Sequence, residues 1–150
     1  MKSKIKIMKI RTKNCKRRGE WAELEFIAAA AKRDLRVSKP LGDSASYDAV
    51  IETHGHFVRV QVKSTTCLRP GNLYKCNIRH SIDQPYKRRD FDFLAAYVIP
   101  EDLWYIIPAR LVLDGKTMAI MIDTTTPTSR WAPYKEAWDL LCNHRSRTAQ

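Results

Sequence analysis

Apolar side chains recur every three or four positions between residues 16 and 35, where Trp21, Leu24, Ile27, Ala28, Ala31 and Leu35 draw one stripe along a helix. Glu20, Glu23 and Ile27 fall on a neighbouring line, so Glu23 borders the stripe instead of opposing it. After the connection Lys39-Pro40-Leu41-Gly42-Asp43 the period changes to two. Residues 47–53 and 56–64 flank His54-Gly55, a pattern that predicts a β-hairpin. A turn centred there pairs Tyr47 with Val62, Ala49 with Val60 and Ile51 with Val58 on one apolar face. Residues 74–79 alternate Tyr, Cys and Ile with Lys75, Asn77 and Arg79, the mark of a half-exposed strand. Residues 93–99, FLAAYVI, predict a strand buried on both faces, turned by Pro100-Glu101-Asp102 into a partner at 103–107. A short helix at 108–113 and a strand at 117–122 follow. Tyr134, Ala137, Trp138 and Leu141 then stripe a C-terminal helix opened by Pro133. The class is α/β (α+β): a central mixed β-sheet flanked by helices, with an N-terminal helix followed by the hairpin.

A chain of 150 residues, 44% hydrophobic, can bury a core without staples. Residues 1–150 are therefore expected to form one domain with a basic N-terminal segment over about 1–15. No apolar run approaches the ~20 residues of a membrane span, and the opening MKSKIKIMKIRTKNCKRRGE lacks the apolar core of a signal peptide. A cytosolic protein with no membrane partner is expected. Cys15, Cys67, Cys76 and Cys142 form no CxxC pair and have no histidine at zinc-ligand spacing, so they read as reduced thiols.

Charge narrows the partners. The net charge is +11, with nine Lys/Arg and no acid in residues 1–18 and a second basic cluster at 75–89. Such a surface attracts polyanions, nucleic acid first among them. Basic runs are commonly solvated tails and loops, but a membrane surface would call for a strongly amphipathic basic helix that this chain lacks.

The hairpin register sets Asp48 opposite Gln61, and Lys63 points to the same face. Polar residues on a sheet face are often mere solvent contacts, yet these three, with Glu23 nearby, suit one reaction. Phosphodiester hydrolysis needs a cation for the phosphoryl oxygens, a nucleophilic water and a stabilised leaving oxygen. Magnesium takes oxygen ligands and needs only one or two carboxylates from the protein. Asp48 offers an anionic ligand, Gln61 a carbonyl oxygen and Glu23 a second acid from the helix. Lys63 can orient the water or offset transition-state charge.

Taken in order, RGEWAE, SYDAVIE, VRVQVKS and FDFLAAYVIPEDLWYIIPA resemble the PD-(D/E)XK nuclease superfamily, the restriction-endonuclease-like fold, over about residues 16–110. The resemblance is nearest to the small homing endonucleases of bacterial group I introns and more distant to archaeal Holliday-junction resolvases. It implies a site-specific double-stranded DNA endonuclease dependent on Mg2+, with Mn2+ as a substitute, acting as a homodimer or a dimer of dimers. Carried over by residue, it makes Asp48 the central metal-binding acid, Gln61 the second acid or amide position, Lys63 the motif lysine and Glu23 the helix acid. Glu23 is preferred to Glu20 because the resemblance uses the GxxxE spacing from Gly19. Tyr47 stands where the family carries proline and Gln61 where it usually carries a carboxylate, a substitution that the homing branch tolerates.

Lys75, Asn77 and Arg79 on one strand face match a ribbon entering a major groove, where Arg reads guanine and Asn reads adenine. The competing reading is an edge strand protected by charge. Lys87, Arg88 and Arg89 suit phosphates. His54 and His56 read as turn residues, the four tryptophans as packing, and Asp90 and Asp92 as residues that cap or terminate the strand beginning at Phe93. The rival functions are a branched-DNA resolvase, a DNA-binding module that has kept the fold and lost catalysis, for which Gln61 speaks, and a basic RNA-binding protein.

Overall fold

Asn14 opens the first helix: its side-chain oxygen accepts the N–H groups of Lys16 at 2.9 Å and Arg17 at 3.2 Å, donors that a first turn leaves without partners. The computed structural model describes residues 13–143, so most of the predicted basic N-terminal segment lies outside the described residues. Helix α1 spans Cys15–Ala31. Its buried line is Ala22, Phe26 and Ala30; of the predicted stripe, Leu35 is buried just beyond the helix, but Leu24 is 62% exposed, Ala28 and Ala31 are exposed, and Trp21 and Ile27 are half-buried. Packing decides this. Phe26 packs on both Trp104 and Trp138, with ring centroids 5.6 and 5.5 Å away, and the two indoles meet each other at 5.8 Å, while the small alanines one turn either side let the helix approach the sheet. The aromatic contact outweighs burial of Leu24.

The strands in chain order are β1 (Arg36–Ser38), β2 (Ala49–Thr53), β3 (His56–Thr65), β4 (Leu68–Arg69), β5 (Leu73–Asn77), β6 (Arg79–Ser81), β7 (Gln84–Pro85), β8 (Phe93–Val98), β9 (Leu103–Pro108) and β10 (Ala119–Asp123). Five of them form the central mixed sheet in the order β1-β2-β3-β8-β9. The β2–β3 hairpin turns at His54, φ 46°, and Gly55, φ 77°, and pairs Ala49 with Val60 and Ile51 with Val58 as predicted. The ladder stops there. The Asp48 N–H donates to the Val60 carbonyl at 2.9 Å, while the Asp48 carboxylate takes the Val62 N–H at 2.8 Å. The predicted Tyr47–Val62 pair is therefore not formed, and Tyr47 packs instead with the core on the opposite side of the sheet.

β3 runs parallel to β8, which is buried on both faces throughout. On one face Val58, Val60 and Val62 meet α1, Trp138 and Leu141. The other face is covered by a second sheet, β10-β5-β4, whose Tyr74, Cys76, Ile120 and Ile122 pack with Tyr86 and Phe91 on Leu94, Ala96, Tyr105 and Ile107. The predicted strand over 74–79 breaks: β5 ends at Asn77, Ile78 is buried, and β6 pairs with β7 as a separate ribbon.

Two predicted helices shorten. Residues 108–113 hold one 3-10 turn, Ala109–Leu111. The helix expected from Pro133 is a 3-10 turn, Ala132–Tyr134, then helix α2 over Asp139–Cys142. Glu136 interrupts it at φ 50°, because its carboxylate accepts the Trp104 N–H and the Trp138 Nε1–H, each at 2.7 Å, and pairs with Arg33. Trp104, Trp131 and Trp138 are buried and Trp21 packs on Tyr97. All four cysteines are free thiols. Among the described residues no helix is long and apolar enough to cross a membrane.

Candidate active site

The pleat of β3 sends Val60 and Val62 toward α1 and Gln61 and Lys63 the other way. The kink at Asp48 then turns its carboxylate back onto β3. Oδ2 accepts the Gln61 Nε2 amide at 2.6 Å and the Val62 N–H at 2.8 Å. Gln61 is 5% exposed, and its amide also lies 3.4 Å from the Val62 carbonyl, so a buried polar group finds partners at both sides.

Burial raises the Asp48 pKa to about 6; the Val62 N–H opposes this, Glu23 pushes it further up, and Lys63 and Lys39 pull it down. Burial lowers the Lys63 pKa, with Asp48, then Cys76 and Glu23, acting against it. The Lys63 ammonium lies 5.3 Å from the centre of the Tyr86 ring, close enough for a cation–π contact. Burial pushes the neighbouring Cys76 thiol up to about 12, which keeps it neutral.

Helix α1 presents Gly19 and Glu23 to the same region. Glu23 receives the Lys39 ammonium at 2.6 Å on Oε2. Two clefts meet at the acids. One, of about 420 Å³, is lined by Arg18, Gln61, Lys63, Asn77, Arg79 and Ile82 among others. The second, of about 350 Å³, includes Glu20, Lys39 and Tyr47. Cys15, Gly19, Glu23 and Asp48 belong to both, so the acid pair forms the ridge between them.

The four predicted catalytic side chains are thus brought together. The predicted readers separate: Asn77 and Arg79 line the larger cleft, whereas Lys75 is half-buried on the outer face of β5, opposite Met121 of β10. Arg79 Nη1 donates to the Ile82 carbonyl at 3.2 Å and braces the β6–β7 turn. Lys87, Arg88 and Arg89 form an exposed turn closed by Asp90, whose carboxylate takes the Lys87 N–H at 2.7 Å. Asp92 holds the Arg59 guanidinium at 3.1 and 3.2 Å and the Arg59 N–H at 2.8 Å, so it ties β3 to the start of β8 instead of capping a strand. Sequence reasoning missed Lys39 and Tyr86. Neither carries a local signal, since each meets the site only through the folded connections.

The oxygens of Asp48, Glu23 and Gln61 are hard donors suited to magnesium. Among the described residues no three His, Cys, Asp or Glu side chains cluster as a metal site. A set of two carboxylates and one carboxamide fits an ion that keeps several of its own waters. Turning the terminal amide of Gln61 exchanges its nitrogen for its carbonyl oxygen.

The family model described as PD-(D/E)XK endonuclease matches residues 13–141. Among solved structures, the chain is similar to a bacterial homing endonuclease, I-Ssp6803I, with a TM-score of 0.72 and 32% identity; the match covers 84% of this chain and 91% of that one. No curated protein sequence matches the chain.

Proposed function

The chain belongs to the PD-(D/E)XK endonuclease family, and on that premise we propose that it is a magnesium-dependent, site-specific endonuclease of double-stranded DNA that serves as a group I intron homing endonuclease. The observation that carries this reading is the ridge of Asp48 and Glu23 with Gln61 beside it and Lys63 held over the larger cleft. Asp48, Glu23 and Gln61 would hold Mg2+, which when bound neutralises charge on phosphoryl oxygens and acidifies water. Lys63, within the field of Asp48 and 5.3 Å from the centre of the Tyr86 ring, holds the attacking water and offsets charge gathering at phosphorus. Asn77 and Arg79 read base edges; Lys87, Arg88 and Arg89 hold phosphates around the site. One ridge cuts one strand. Cleavage of both strands favours a twofold arrangement, hence a homodimer or a dimer of dimers.

The test is cleavage of a randomised plasmid library with Mg2+ against EDTA, followed by four-way junctions as competitor substrates. Metal-dependent double-strand breaks at one sequence class are expected. Sequence-selective binding without cleavage would make the protein a DNA-binding module, and cleavage confined to junctions would make it a resolvase.

A further inference from the structure

Lys39 leads the connection from β1 to β2, and its ammonium lies 2.6 Å from Glu23 Oε2, with the lysine side chain 49% and the glutamate side chain 24% exposed. It lines the smaller cleft, while Lys63 lines the larger; the two lysines flank the acid pair from opposite sides. Two carboxylates facing one ridge repel each other unless a cation lies between or beside them. Lys39 supplies such a cation from within the chain. Its long stem is half in solvent, so rotation of the side chain alone can carry the ammonium away without moving the backbone.

We infer that Lys39 is the resting cation of the site: it occupies the Glu23 carboxylate, and a divalent metal takes that carboxylate only by displacing it. This rests on the reading of Asp48 and Glu23 as metal-holding acids. Removing the ammonium removes a competitor, so metal affinity rises. An arginine at the same position keeps the charge and the competition.

The experiment is calorimetric titration of Mg2+ into the full-length protein without DNA, for the wild type, Lys39→Met and Lys39→Arg, with Asp48→Ala as the blank. Lys39→Met should bind Mg2+ roughly two- to five-fold more tightly, the span of a partly exposed ion pair, and Lys39→Arg should match the wild type. Equal or weaker binding by Lys39→Met overturns the inference while leaving the nuclease reading in place. Absence of Mg2+ binding in all four proteins overturns the metal reading itself, and the inference with it. Independently of any variant's folding, the side-chain NMR signal of Lys39 in isotopically labelled wild type should shift in step with Mg2+ occupancy. A signal that stays put while the metal binds also overturns the inference.

Discussion

Gln61 and Asp48 share a hydrogen bond of 2.6 Å in which the amide nitrogen is the donor. A neutral donor at this position relieves a buried carboxylate that would otherwise face a second one. Gln61→Glu should therefore lower the stability of the metal-free protein by about 1–3 kcal/mol, the cost of a buried polar group left without its partner, and Mg2+ should restore it. The half-saturating Mg2+ concentration in single-turnover cleavage should fall, because a carboxylate binds the ion more strongly than an amide oxygen. Thermal melts with and without Mg2+, together with that titration, check both; an unchanged half-saturation would mean that the residue at 61 does not reach the metal.

Asp48 holds its proton more tightly in the folded chain than in the unfolded one, with a pKa raised from 3.8 to about 6. Stability associated with it is complete below the unfolded value and is lost as the pH rises through 6. Asp48→Asn removes the titration. In the absence of metal the variant should be more stable than the wild type at pH 8 by up to about 3 kcal/mol, with the gap closing by pH 4, and it should not cleave DNA. Urea unfolding at both pH values measures this, and a gap of equal size at each would refute the burial argument.

Lys63 is expected to act in the chemical step and not in binding. Lys63→Met should reduce single-turnover cleavage by at least about 10²-fold, the cost of losing one transition-state donor, with DNA affinity close to wild type. Tyr86→Phe keeps the ring beneath the ammonium and should retain activity. Tyr86→Leu removes the aromatic face and should lower the cleavage rate. Wild-type rates in Tyr86→Leu would show that the ring does not position Lys63.

The basic residues should divide into two behaviours. Arg79→Ala should relax preference at one base position and cost about 1–3 kcal/mol on the preferred site. Lys87→Ala, Arg88→Ala and Arg89→Ala should weaken binding to all sequences alike and each reduce the logarithmic salt slope by about one. Filter-binding titrations across salt on preferred and scrambled duplexes separate the two; uniform weakening by Arg79→Ala would move that residue to a phosphate.

The hairpin and its polar face are legible in the sequence because a period of two around a Gly turn leaves one register that buries Val58, Val60 and Val62. The same logic places Asp48 beside Gln61, though not the kink that directs its carboxylate to the Val62 N–H. The face of α1 is not legible, since hydrophobicity ranks Leu24 above Ala22 while the fold ranks them by what fits against Trp104 and Trp138. The C-terminal helix is misread for a related reason: Glu136 serves Trp104, a partner 32 residues away, and that bond overrides the local helical period. Lys39 is invisible for the same cause, its partner Glu23 lying 16 residues back across a loop.

β5 alternates Tyr74 and Cys76, locked into the core, with Lys75 and Asn77 turned outward, and the alternation continues through buried Ile78 to exposed Arg79. The pleat thereby separates two kinds of evolutionary freedom within a few consecutive codons. Even-numbered positions are bound to one interior and tolerate little drift, whereas odd-numbered positions can exchange side chains without disturbing it. If residues 77 and 79 meet DNA as proposed, single substitutions there could alter base preference while Gln61 and Lys63 on β3 stayed as they are, so recognition and cleavage could diverge at different rates in one small protein.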